Sequence, residues 1–244
     1  QYRLYDILIK YNLLPCKHNL NSAFTFQLPG LLPIEDYYIY RENISDLYYY
    51  DNIDIIRIIN EKETNLKNTS IINKYKKIYN INYKDYSNDF CVNNYEEIKK
   101  YDFIYAGGYI YDFTNKMYTE YLNSQNVFCK SLYILQNLNI GGSAILTIGT
   151  ILTKITLDTI IILSSYFEEI YIDKNVLMAP LRTYKNIVLK KFKGISNNQL
   201  DELKTIKKEW SLYDDSCGMN WDINNKFHIN SLIEGDYKII ENQI

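Results

Sequence analysis

The residues in this chain that could do chemistry are few and scattered. Cys16, Cys91, Cys129 and Cys217 sit far apart, with no C-x-x-C pair among them. That spacing predicts reduced thiols in a cytosolic compartment and argues against both a zinc site and a disulfide. His18 and His228 are isolated from one another and are read as surface residues, so no metal is expected. Lys185, Lys190, Lys191 and Lys193 could form a phosphate-binding edge, although such a cluster more often solubilises an edge strand. Glu61, after the second strand, could meet a ribose, but an exposed charge is the commoner reading there. Pro29-Gly30, Gly107-Gly108 and Gly141-Gly142 mark turns at strand ends. No G-x-G-x-x-G follows an early strand, which discounts a nucleotide-dependent dehydrogenase.

Those residues must be positioned by a fold, and the chain is long enough for one. Its 244 residues suffice for a single large α/β domain over residues 1–244, and no Gly/Ser-rich run marks a linker. The first residue is Gln1 and no signal peptide is visible, so the domain can be a segment cut from a longer chain; a cytoplasmic location is expected. The apolar stretch from Ala144 to Leu163 is broken by Lys154 and Asp158, which excludes a membrane span. The formal net charge of −2 is unlike that of a protein gripping RNA alone, because phosphate neutralisation supplies most of that affinity. Contact with RNA would need a partner or a local patch. The 26 tyrosines fit the codon bias of an AT-rich genome, or else a stacking surface for bases.

Seven strand-like runs alternate with helical spacing. Strands are expected over 22–28, 52–59, 77–83, 101–106, 143–148, 169–174 and 185–192, from β-branched and aromatic content bounded by turn residues. Helices are expected over 2–12, 33–43, 115–138 and 153–167, where apolar residues recur every three to four positions. Ser196-x-x-Gln199 is a capping box that opens a further helix, with Leu200, Leu203, Ile206 and Trp210 inward. Strand, crossover helix and strand make a parallel unit covered on both faces.

The segments SSYFEEIYIDK and APLRTYKNIVLKKFKG, with Gly141-Gly142 before them, resemble the C-terminal half of FtsJ-type RNA 2′-O-ribose methyltransferases, especially those of large DNA viruses. The resemblance implies a Rossmann-like, seven-stranded S-adenosylmethionine-dependent methyltransferase fold with the last strand antiparallel. It also maps the family's Lys-Asp-Lys-Glu tetrad onto Arg3 in YRLYDIL, Gly107 after YDFIYA, Thr147 and Tyr184. The methyl-donor turn maps onto Gln27, Pro29, Gly30 and Leu31, with Gln27 in place of an acid and Leu31 in place of a glycine. Asp89 matches the acid that contacts the cofactor adenine.

The resemblance thus implies a preserved fold with its chemistry removed. A ribose hydroxyl must lose its proton, and a lysine whose ordinary pKa is about 10.4 must be brought down to take it. Thr147 is no base near neutral pH, Gly107 has no side chain, and Tyr184 is normally neutral. Asp102 and Lys154 are nearby, but neither falls at the carboxyl end of a strand, where such sites assemble. The expectation is a catalytically inactive domain acting as structural or stimulatory partner of a capping-enzyme catalytic domain or subunit in viral-type mRNA capping, similar in logic to the poxvirus capping enzyme's small subunit. No cofactor is expected. RNA contact is left open. The alternative is an active cap or RNA 2′-O-ribose methyltransferase, using S-adenosylmethionine, with relocated catalytic residues.

Overall fold

The computed structural model describes residues 3–15, 19–26, 32–43, 51–57, 80–85, 99–107, 119–174 and 184–214. Strands β1 (Asn21–Phe26), β2 (Asn52–Arg57), β3 (Asn80–Asp85), β4 (Tyr101–Ala106), β5 (Leu138–Ile148), β6 (Phe167–Asp173) and β7 (Lys185–Phe192) form one sheet. Its order is β3-β2-β1-β4-β5-β7-β6. β7 runs antiparallel to β5 and β6, and the other pairings are parallel. The helices are α1 (Arg3–Tyr11), α2 (Leu32–Asn43), α3 (Thr119–Asn137), α4 (Lys154–Tyr166) and α5 (Asn197–Asp214).

Period-two alternation divides the apolar residues of the central strands between two cores. Ala144, Leu146 and Ile148 of β5 join Ile187 and Leu189 of β7 and the inner faces of α3, α4 and α5. Ile145 and Val188, from the same strands, face the other way and join Leu4, Ile7 and Leu8 of α1 with Ile34, Tyr37 and Tyr38 of α2. Both faces of the sheet are therefore covered, as a parallel sheet requires.

Local signals fix the helix ends. Thr153 caps α4, its side chain accepting from the Thr156 amide. Ser196 and Gln199 make the expected reciprocal capping box before α5. α1 ends at Asn12, whose φ of 47° suits asparagine; the Leu13 amide donates to Leu8 O and the Asn12 amide to Ile9 O.

Two expectations are corrected. Gly141-Gly142 is not a turn into β5 but lies within it, because β5 begins at Leu138, directly after α3. The register passes from Tyr101↔Leu138 to Phe103↔Ser143, so β5 carries the extra residues as an irregularity. Gly141 has a φ of +79°, and a Cβ on Gly142 would fall 2.8 Å from Asn139 O and 3.0 Å from Asp102 O. Both positions need glycine for that path. Likewise β6 begins at Phe167, immediately after α4, rather than at Glu169. Among the described residues no helix is long and apolar enough to cross a membrane, and no group of three or more His, Cys, Asp or Glu residues could hold a metal.

Candidate functional site

β4, β5 and β6 run in one direction, so their carboxyl ends share an edge, and the amino end of antiparallel β7 lies there too. Along that edge the register aligns Thr147 with Asn186, and Asn186 with Asp173. Gly107 follows the Ala106↔Leu146 pair and so extends the same row past Ala106. Tyr184 precedes Lys185, the partner of Ile148. Gly107, Thr147 and Tyr184 come from three separate segments and are gathered at one edge.

The row faces α1. Asp173 is buried and accepts hydrogen bonds from Lys10 Nζ and from the Tyr11 hydroxyl at 2.9 Å. The Tyr11 ring packs on Tyr171 with centroids 4.8 Å apart. Arg3 lies at the opposite end of α1, about 10 Å from Lys10 at 1.5 Å rise per residue. It is therefore Lys10 that α1 brings to the row. The hydrogen bond to Asp173, then that to Tyr11, raises the Lys10 pKa above its ordinary value. Burial, the largest influence on Tyr11, pushes its phenol up as well.

Gly107 lies under an aromatic ring. A Cβ built there would meet Tyr105, with Cδ1 at 3.1 Å and Cε1 closer still. Tyr105 pairs with Phe24 of β1, their ring centroids 6.0 Å apart. β1 and β4 flank the topological switch point of the sheet, where open α/β folds receive ligands. The Tyr105 ring thus stands where a longer side chain at 107 would project. Thr147 is buried, and its hydroxyl donates to Asn186 Oδ1 at 3.0 Å.

The loop after β5 is fastened from α3. The Glu120 carboxylate accepts from the Thr150 hydroxyl at 2.6 Å, the Leu152 amide at 2.9 Å, and the Thr153 amide and hydroxyl at 2.8 and 2.9 Å. Burial pushes this carboxyl up, but those hydrogen bonds outweigh it and hold its pKa below the ordinary value. A negative charge here also suits the amino end of α4.

Among the residues singled out from sequence, Cys16, His18, Gln27, Pro29, Gly30, Leu31, Glu61, Asp89, Cys91, Gly108, Cys217 and His228 lie outside the described residues. The lysine cluster is less free than its sequence suggests: Lys190 pairs with Glu169 at 3.2 Å, and Lys191 with Glu168 at 3.3 Å and Glu169 at 2.8 Å. Both lie on β7, which is interior to the sheet between β5 and β6, so the edge-strand expectation is corrected: these two lysines pair with carboxylates of β6 instead. Sequence reasoning passed over Lys10, Tyr105, Glu120, Asp173 and Asn186. Asn186 and Asp173 carried a weak signal, as polar residues in otherwise apolar strands; Glu120 carried none.

No family model matches the chain, and no curated protein matches it. Solved structures do. A protein described as a ribosomal RNA methyltransferase of Plasmodium falciparum superposes with a TM-score of 0.54 at 20% identity, over 80% of this chain and 97% of that one. An rRNA methylase from Streptococcus thermophilus gives a TM-score of 0.47 at 11% identity, over 78% and 94% of the two chains. An alphavirus P23pro-zbd chain gives 0.46 at 11% identity, over 80% of this chain and 24% of its own. The class is therefore set by the fold: this is a Rossmann-like methyltransferase-fold domain with an antiparallel β7.

Proposed function

We propose that this domain is a methyltransferase-like protein without methyl-transfer chemistry, acting as a cytoplasmic structural or stimulatory partner of a capping-enzyme catalytic domain or subunit in viral-type mRNA capping. One observation carries the reading. Gly107, Thr147 and Tyr184 converge on the carboxyl edge and bring no base, and a tyrosine ring covers the first of them. Transfer to a ribose hydroxyl needs a group to take its proton. Lys10 is the lysine that α1 directs to this row, and its bond to Asp173 favours the ammonium, which cannot accept one. Arg3, Gly107, Thr147 and Tyr184 are thus read as degenerate tetrad positions, and Gln27, Pro29, Gly30, Leu31 and Asp89 as a vestigial cofactor turn. The capping role follows from the resemblance of the segments around β6 and β7 to viral relatives, supported by the fold shared with an rRNA methyltransferase.

The competing reading is an active 2′-O-methyltransferase that uses Lys10 and Asp173 as relocated groups; their place on the same edge favours it. Two measurements separate them. Calorimetric titration with S-adenosylmethionine and S-adenosylhomocysteine should give no heat from the wild type, and capped RNA should gain no 2′-O-methyl group. Micromolar binding together with methyl transfer that Lys10→Ala abolishes would establish the active enzyme instead. For the partner role, adding the domain to a cap guanine-N7 methyltransferase should raise that enzyme's turnover; unchanged turnover and no co-elution would refute it.

A further inference from the structure

Among the described residues β6 is an edge strand, with β7 as its neighbour in the sheet. Natural edges are blunted by prolines, bulges, short length or charges that resist pairing with another chain. β6 has seven residues, FEEIYID, with no proline and no glycine. Each of its carboxylates is neutralised within the chain: Glu168 by Lys191, Glu169 by Lys190 and Lys191, and Asp173 by Lys10. Lys191, ahead of Tyr171 and Lys190, draws the Glu169 carboxyl down to about 2, so the Glu169 charge persists across the working pH range. Beyond Glu169 the strand exposes apolar surface, with Tyr171 40% and Ile172 52% accessible and Ile9 of α1 54% accessible.

We propose that β6 pairs antiparallel with β6 of a second copy of this chain, about a two-fold axis at Ile170, joining two sheets into one. Charge selects that register. Strand residues opposite one another must share a face of the sheet, so registers change in steps of two. Centring on Glu169 would oppose Glu169 to itself, and centring on Tyr171 would oppose Glu169 to Asp173; like charges directly opposite are destabilising. Centring on Ile170 opposes Glu168 to Ile172 and Glu169 to Tyr171, with no like pair. The Tyr171 hydroxyl already donates to Glu169 of its own strand at 2.8 Å, so the pair is chemically suited across the axis. Centring on Ile172 also avoids like pairs but engages a shorter stretch. A two-strand contact falls below the area of a permanent dimer, so the association is reversible and concentration-dependent. The inference stands independently of the site's chemistry.

The test is sedimentation velocity with light scattering from about 5 to about 200 µM protein, the range in which mass action reveals a weak dimer. The wild type is expected to shift from monomer to dimer. Ile172→Glu places a carboxylate opposite Glu168 and should abolish the shift. Ile172→Lys is equally polar but faces Glu168 with an opposite charge, and should keep it. Leu152→Glu, on the loop before α4, should leave it unchanged, and circular dichroism checks that each variant is folded. A wild type monomeric throughout overturns the proposal, as does a dimer insensitive to Ile172→Glu. Loss of the dimer in both Ile172 variants overturns the register centred on Ile170.

Discussion

At the scale of single residues, the position after β4 shows how one side chain closes a site. Gly107 is buried, and the space above its backbone belongs to the Tyr105 ring. Restoring an acid at this position should therefore cost stability. Gly107→Asp is expected to destabilise by about 1–3 kcal/mol, the usual range for overpacking. Tyr105→Ser should relieve part of that cost, making the double variant more stable than the sum of the singles predicts. Urea denaturation of the two single variants and the double variant measures the coupling. Strict additivity would mean that the ring does not contest the space.

At the scale of elements, the loop from Gly149 to Thr153 takes its order from a residue in a different helix. Glu120 satisfies the amides of Leu152 and Thr153 at the amino end of α4, where no intrahelical partner exists. Glu120→Gln keeps the shape but removes the charge, and should cost about 1–3 kcal/mol, the range for charge-assisted hydrogen bonds. The folded carboxyl has a depressed pKa. Its contribution is therefore fully present above the unfolded value of about 4.3 and is lost as pH falls through the lower folded value. The stability gap between wild type and Glu120→Gln should be constant near neutral pH and shrink below about pH 4. A gap independent of pH down to full protonation would show that the charge contributes nothing.

At the scale of the molecule, a buried ion pair ties α2 to the amino ends of β1 and β2, opposite the candidate site. Asp51 accepts from Arg41 Nε at 2.8 Å and Nη2 at 2.9 Å, from the Tyr37 hydroxyl at 2.9 Å and from the Leu20 amide at 2.9 Å. Both charged side chains are fully buried. Asp51→Ala would leave the Arg41 guanidinium without its carboxylate and should destabilise by about 3–5 kcal/mol. An Arg41→Met, Asp51→Leu double variant removes both charges and should recover much of that loss. Thermal unfolding monitored in the near ultraviolet reports on both through the surrounding tyrosines; equal losses in the two variants would contradict the electrostatic account.

The sequence by itself determined the elements. β-branched runs bounded by turns located β4 and β7 to the residue, helical spacing located α1 and α4 to within one residue at each end, and the Ser196–Gln199 box marked the start of α5. These are local properties, set by side-chain periodicity and capping within a few residues, so a linear reading reaches them. It misplaced the starts of β5 and β6 because each strand follows its helix without a connecting loop. The Gly141-Gly142 pair looked like a turn, whereas its constraints are the positive φ of Gly141 and the close approach to Gly142 of Asn139 O and of Asp102 O, the latter far away in sequence. Tertiary structure alone decided that Gly107, Thr147 and Tyr184 share an edge with Asn186 and Asp173, that Lys10 of α1 reaches it, and that Glu120 anchors the loop beside it. Each of those facts depends on strand order and register, fixed by burying two cores on opposite faces of one sheet, and no short window of sequence carries that information.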